Sequence, residues 1–414
     1  MTQNSPLADV TVVTIENWMA APSASAILSD LGARVIKVEP LTGDPMRGNS
    51  RPVKRDDLSD ELRAYDFSFD VDNRGKESIA VALDTEAGTK IVHDLVARAD
   101  VFMCNLLIPR QQKFSMDPES LFNVKPDLVH ATFTGYGTTG PDAGRPGYDV
   151  TAFFGRSGLY DAMREGEDGV VPMARPAQGD HSSGLALVAS ILAALRMVEK
   201  TGEGQTVETS LYETAVWTQA TDYAVTAMDK APVRHRARNQ MLAITANRFP
   251  CGDGKWVVFN MLPESAYWGR LCQAIDAEEL LEDERFADAS LRYRNMAELV
   301  ALVDTALAKR TRDEWGPIFD KAGLIWGPVL QLHEVPQDPQ AQALGLFPIV
   351  EHPDHGSYTT VAAPMRFGQA DVRPRGPAPA LGAHTAQILE ELGYDESSIQ
   401  NFLADATIGG ADPS

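Results

Sequence analysis

The sequence predicts an α/β protein: a mainly parallel, Rossmann-like sheet domain joined to a smaller α+β domain. Three observations carry this reading. Short apolar strands alternate with helical patterns through the first half, the rhythm of a parallel sheet covered on both faces. From about Ala220 that rhythm gives way to a hairpin signal and a series of amphipathic helices. The length, 414 residues, exceeds what one core usually serves.

Taken in order, Thr11–Ile15 reads as a buried strand and Pro22–Leu31 as a helix stopped by Gly32. Arg34–Glu39 is the next strand, followed by strand Ser78–Asp84 and helix Glu86–Ala99. Strand Val101–Asn105, a short helix after Asp117 and strand Leu128–Phe133 continue the pattern. A loop rich in glycine and proline, Gly135 to Gly147, precedes the longest helical pattern, Ser182 to Lys200. Leu185, Leu187, Val188, Ile191, Leu192 and Leu195 make that helix apolar nearly all round, which predicts a central position. Gln205–Ser210 resumes as a strand. Arg234, Arg236 and Arg238 mark an exposed connector. Arg248–Asn260 reads as a hairpin turning at Gly252-Asp253-Gly254, and helices run on to about Ala322. A strand pair around His355-Gly356 and a helix at Thr385–Leu392 are expected to return to the first domain. The expected division is 1–220 for the first part of the large domain, 221–330 for the small domain with its linkers, and 331–414 for the returning segment.

A net charge of −21 argues against nucleic acid or an anionic membrane as partner. No run of about 18 apolar residues stands out, and Met1 to Val10 lack the basic and apolar regions of a signal peptide. A cytoplasmic protein is the expectation. Cys104, Cys251 and Cys272 are scattered, so a disulfide framework or a zinc site is not expected. No histidine falls at metal-ligand spacing. Between Arg34 and Lys76, nine basic residues balance nine acids. Such a segment suits an anionic ligand, but paired charges on a solvated loop are the plainer reading.

The opening strand–helix–strand, with Glu39 ending its second strand, imitates a dinucleotide fold. Its first turn, Asn17-Trp18-Met19-Ala20-Ala21-Pro22, has no glycine to admit a pyrophosphate, so NAD is not expected. Gly179-Asp180-His181-Ser182-Ser183-Gly184 stands immediately before the central helix. Aspartate there is a preferred helix cap. The same position suits a nucleophile, because a helix N-terminus favours an ionised carboxylate and the glycines leave room for a substrate. His181 is either an acid/base partner or, more commonly, a hydrogen-bonded loop histidine.

Together these pieces resemble the family III CoA-transferases, the group that includes formyl-CoA transferase and carnitine CoA-transferase. The resemblance runs in order from Leu7 to about Leu392. Its blocks are AAPSASAILSDLGARVIKVEP, TGDPMRG, DNRGKESIAVALDTEAG, ADVFMCNL, TGYGTTGPDAGRPGYD, GDHSSGLALVASILAAL and KTGEGQTVETSLYE. GPVLQLHEV, DPQAQALGLF and LGAHTAQIL follow near the end. The resemblance implies that Asp180 is the nucleophile, carrying acyl and CoA groups in turn through an anhydride and a thioester. It implies CoA contacts from Trp18, Met19, Ala20, Lys76 and Asn105, with Arg110 or Lys113 as the basic residue for phosphate. Tyr148, Gly179 and His181 are expected at the acyl site. No metal or redox cofactor is implied, since CoA arrives as part of its substrate, an acyl-CoA, to be passed to a carboxylic acid. Homodimers with interlocked chains are implied as well.

Three departures matter. Leu106-Leu107-Ile108-Pro109-Arg110 replaces the usual NFRPG block, which bears on the phosphate contact. Met19 stands where formyl-CoA transferase has a glutamine, and that enzyme's glycine-rich flap has no counterpart around Ala243–Phe249. From these last two, a larger or more apolar acyl group than formate or oxalate is expected. One rival reading is an α-methylacyl-CoA racemase, against which stands Tyr148 in place of a histidine base. Another is a non-catalytic CoA-binding protein, against which stands the Gly179-Asp180 pair.

Overall fold

The computed structural model describes residues 4–49, 54 and 58–410. The chain divides into two compact units. The first runs to Leu159, resumes over Met173–Met228 and again from Ala343; the second takes Tyr160–Pro172 and Asp229–Gln342. Tyr160–Pro172 thus sits apart from the sequence around it. Its acids meet bases of the second unit: Glu165 pairs with Arg248 at 2.9 Å, and Asp161 and Glu167 with His235 at 3.1 and 3.2 Å. Local periodicity carries no trace of such pairings.

In the first unit, β1 (Thr11–Ile15), α1 (Ala20–Asp30) and β2 (Arg34–Glu39) are followed by α2 (Phe67–Asn73), β3 (Glu77–Val81) and α3 (Glu86–Val96). Then come β4 (Val101–Cys104), α4 (Ile108–Lys113), α5 (Pro118–Val124), β5 (Val129–Thr134), α6 (Gln178–Thr201), β6 (Gln205–Ser210), α7 (Leu211–Thr218) and α8 (Ala220–Asp229). The strands form one sheet in the order β3-β2-β1-β4-β5-β6, every neighbouring pair parallel. A two-residue strand, Ile408–Gly409, extends its β3 edge in the antiparallel sense. Val13 lies opposite Ile36 on one side and Phe102 on the other, and all three are buried. Because parallel strands are covered on both faces, they read as apolar runs, which is why β1, β2 and β4 stand out in the sequence. Ile91, Val92, Leu95 and Val96 of α3 close one face of this core.

The chain winds outward in both directions from β1 and β4. At such a reversal the loops after the two strands part, and a crevice opens at their carboxyl ends. The site lies there.

Helix α6 starts at Gln178, four residues before its expected start. Counting those residues in, it is long and apolar enough to cross a membrane by length and composition, contrary to the expectation that no segment would be. It packs through Leu187, Val188, Ile191 and Ala194 onto the rest of the unit, α1 first among its neighbours. Leu185, Ala189, Leu192 and Met197 remain exposed. The helix is central on one face only.

The second unit holds a three-stranded antiparallel sheet of Arg248–Pro250, Trp256–Phe259 and Trp326–Val329. The first two strands are the hairpin expected around Gly252-Asp253-Gly254. Its core includes Phe249, Phe259, Phe286 and the stacked pair Trp315 and Phe319. Cys104, Cys251 and Cys272 are buried free thiols.

Candidate active site

The crevice is tied shut at its base. Asn105, just past β4, accepts from the Asn17 N–H at 3.1 Å and donates to the Asn17 carbonyl at 2.8 Å. Its side chain therefore clamps the turn after β1 to the turn after β4. The next residue, Trp18, has φ of 68°, a left-handed conformation that a bulky side chain rarely adopts. Its N–H donates to Asp44 Oδ1 at 3.1 Å. Behind Asp44 runs a buried chain of charges. Lys37 Nζ reaches Asp44 Oδ2 at 2.6 Å and Asn73 Oδ1 at 2.7 Å, while Lys76 Nζ reaches Asn73 Oδ1 at 3.0 Å and Glu16 Oε1 at 2.7 Å.

The balanced charges between Arg34 and Lys76 are thus largely internal braces, not a solvated loop. Arg51, Arg55, Asp56 and Asp57 of that segment lie outside the described residues. The Lys76 side chain has no exposed surface. Burial pulls its ammonium down to about 8, and the charge of Glu16 works against that fall. Glu39 is equally enclosed, engaged by Arg47 at 2.6 Å and Ser78 at 2.7 Å.

Asp180 stands in the first turn of α6 but does not cap it. The residue before the helix is Ala177, at φ of 83°, and no side chain caps the end. Asp149, opening the π-helical turn Asp149–Gly155, stabilises this start by accepting from the Ala177 N–H at 2.7 Å. Gly179 is needed for packing: a Cβ there would lie 2.6 Å from Phe153 Cγ. Ser23 and the Ala20 carbonyl crowd Gly184 in the same way. The protein's own atoms fill the space that these glycines were expected to leave for a substrate.

The carboxyl of Asp180 is half-buried and pushed up to about 7. Burial is the main cause, the charge of Asp149 the next; Asp72 adds to the rise and His181 opposes it. This corrects the expectation that the helix N-terminus keeps the group fully ionised, because desolvation and two neighbouring carboxylates outweigh the helix end. His181 Nε2 donates to Asp72 Oδ1 at 3.0 Å, and that bond raises the imidazole's affinity for its proton.

Trp18, Ala20, Asn105, Tyr148 and Asp180 line one cavity of about 160 Å³ at the mouth of the crevice, together with Asn17 and Arg145. The rings of Trp18 and Tyr148 meet edge to face, centroids 5.6 Å apart, and both are substantially exposed. Met19, Lys76, Gly179, His181, Arg110 and Lys113 do not line this cavity. Arg110 and Lys113 project from α4, each beside the Phe114 ring, with no carboxylate partner among the described residues. Asp44, Asp72 and Asp149 were not singled out in the sequence, although Asp149 directly follows Tyr148 and Asp44 sits in the TGDPMRG block. Among the described residues no group of three acids, histidines or cysteines is placed to hold a metal ion.

Fold and site together define a doubly wound α/β protein with one carboxylate facing the crevice where such folds bind small ligands. The chain belongs to CoA-transferase family III, which it matches over residues 7–385. It is 31% identical to (R)-2-hydroxy-4-methylpentanoate CoA-transferase of Clostridioides difficile, over 96% of this chain and 98% of that one. To cinnamoyl-CoA:phenyllactate CoA-transferase of Clostridium sporogenes it is 30% identical, covering 96% of each. The crystal structure of a CAIB/BAIF family protein from Brucella suis superposes with a TM-score of 0.83 at 30% identity, over 94% of this chain and all of that one. The protein is accordingly an enzyme that moves CoA from an acyl-CoA to a carboxylic acid.

Proposed function

We propose that Asp180 is the nucleophile of this transfer. One observation carries the proposal: among the described residues, Asp180 is the single carboxylate lining the cavity at the switch point. Its ionised oxygen attacks the thioester carbonyl of the acyl-CoA, forming a mixed anhydride and expelling the CoA thiolate. The thiolate attacks the aspartyl carbonyl, which gives an aspartyl-CoA thioester and releases the first acid. The incoming carboxylate attacks that thioester, the thiolate leaves again, and its attack on the new acyl group frees Asp180. Each step exchanges one activated acyl bond for another, so the energy of the thioester is kept. Backbone N–H groups in the first turn of α6, which have no intrahelical partners, steady the developing oxyanions.

Trp18, Ala20 and Asn105 form the wall along which the pantetheine arm of CoA approaches, and Arg110 and Lys113, which have no carboxylate partner among the described residues, take its phosphates. Lys76 acts from behind this wall, through Glu16. The acyl group is larger than formate or oxalate, a reading supported by the acids named for the relatives from Clostridioides difficile and Clostridium sporogenes. The enzyme works in the cytoplasm as a homodimer, for which the exposed apolar face of α6 is the support.

Asp180→Asn is expected to lower transfer by at least about a thousandfold while CoA affinity, measured by calorimetry, stays within about threefold. Hydroxylamine added to enzyme incubated with acyl-CoA is expected to convert Asp180, and no other acid, to a hydroxamate detectable by mass spectrometry. Substantial transfer by the variant, or label at another carboxylate, would remove Asp180 from this role.

A further inference from the structure

The chain carries a net charge of −21, yet one cleft of its second unit is lined by three arginines. Arg234, Arg236 and Arg294 share this cavity, of about 450 Å³, with Asn239, Gln240 and Tyr293. Among the described residues Glu167 is the one carboxylate of the lining, and it is taken up by His235. Its Oε1 accepts from the His235 N–H at 3.1 Å, and its Oε2 lies 3.2 Å from the ring Nδ1.

The surroundings are braced without using the three arginines. His235 is 6% exposed and fixed between Glu167 and Asp161. Arg238 donates to both oxygens of Asp304 at 2.7 Å, and the Ala237 N–H donates to Gln240 Oε1 at 3.2 Å. Across the cleft, Tyr293 and Arg294 end the short helix Ala289–Arg294. Elsewhere in this unit Arg248, Arg292, Arg310 and Arg312 each meet a carboxylate. Arg234, Arg236 and Arg294 meet none among the described residues. Guanidiniums gathered in one cleft repel each other, and a bound anion removes that cost.

The rest of the lining narrows the class of anion. A terminal phosphate carries about −1.5 to −2 at neutral pH, and a diphosphate adds a further charge, which matches three guanidiniums better than a single carboxylate does. Tyr293 is 45% exposed and offers a ring face on which a base stacks. The side chain of Asn239 makes no hydrogen bond among the described residues and is open to the edge of a base. The volume falls within the range of small-ligand sites.

We propose that this cleft is a second ligand site, and that it takes a nucleoside diphosphate: phosphates on Arg234, Arg236 and Arg294, base on Tyr293. CoA carries the same chemistry in its nucleotide end. Its phosphates are assigned above to Arg110 and Lys113 of the first unit, so the occupant here is a free nucleotide; that choice of source rests on the earlier assignment.

The test is calorimetry on the whole protein with ADP, adenosine, pyrophosphate and CoA. ADP is expected to bind with a dissociation constant below about 1 mM, changed by no more than about threefold when CoA is saturating. Adenosine and pyrophosphate, each lacking half of the pattern, are expected to bind at least about tenfold more weakly. Arg234→Gln with Arg236→Gln, and separately Arg294→Glu, are expected to weaken ADP by at least about tenfold and to leave kcat and KM for acyl-CoA within about twofold of the parent. Tyr293→Ala is expected to weaken ADP by about fivefold or more and to leave pyrophosphate unaffected. Absence of ADP binding, or parent-like ADP affinity in the variants, would overturn the cleft assignment and leave the transferase reading untouched. Displacement of ADP by CoA, with a raised KM for acyl-CoA in the arginine variants, would show that the cleft serves the substrate, overturning both the second site and the assignment of Arg110 and Lys113.

Discussion

At neutral pH, Asp180 holds its proton about as often as it gives it up, since burial and Asp149 push its carboxyl to about 7. Only the anion attacks a thioester, so the reactive fraction grows as pH rises through 7 and dwindles below it. The value of kcat/KM is therefore expected to show an acidic limb near pH 7, with activity gained on the alkaline side; a flat profile from pH 5.5 to 8.5 would contradict this. Asp149→Asn separates the causes. Asparagine still offers an oxygen to the Ala177 N–H, so the start of α6 survives, but the repelling charge is gone. The limb is expected to move to lower pH by roughly half a unit or more. The charged neighbours that remain, Asp72 and His181, oppose one another in their effect on Asp180. A limb that stays in place would mean that burial alone sets the carboxyl.

The turn after β1 shows how an element is held in an unfavourable shape. Trp18 keeps a left-handed backbone because Asp44 takes its N–H, and Asp44 is held by Lys37. Farther along, Lys76 neutralises Glu16 where neither side chain meets solvent. Lys76→Met alone leaves Glu16 as a buried charge without its close partner, and is expected to cost about 3–5 kcal/mol of unfolding free energy in urea titrations. Lys76→Met with Glu16→Gln removes both charges and is expected to recover much of that loss. A single variant as stable as the parent would mean that the pair braces nothing. This arrangement also explains what the sequence could and could not show. The parallel strands and α3 were legible because a covered sheet demands apolar runs and a half-buried helix demands a stripe. Helix α4 was not, being six residues with Pro109 near its start and mostly polar after it. Asp180 stood out by its place between a glycine and an apolar helix. Its tuning did not, because Asp149 is 31 positions away in the chain and Asp72 108. The ion pair of Lys76 was hidden for the same reason: Glu16 lies 60 residues earlier.

On the scale of the whole molecule, the apolar surface of the first unit is larger than one chain can hide. Ala189, Leu192 and Met197 on α6 face outward, and on the two helices after β6 Trp217 is 78% and Met228 82% exposed. Patches of this kind mark surfaces that another molecule covers. The proposed occupant is a second copy of the chain. In a two-fold interface each residue appears twice, so one unfavourable charge is introduced twice. Leu192→Glu is expected to convert a species of about twice the chain mass, measured by light scattering, into one of single mass at micromolar concentration. Charge supplies a second, independent check. Two chains of −21 each repel one another, and added salt screens that repulsion over about 10 Å at 0.1 M. An interface held by apolar contact between acidic chains should therefore tighten as salt rises from 20 to 300 mM, the opposite of one held by ion pairs. A parent protein that is monomeric at every salt concentration would show that the outward face of α6 serves some other partner, and that each chain works with the residues it carries alone.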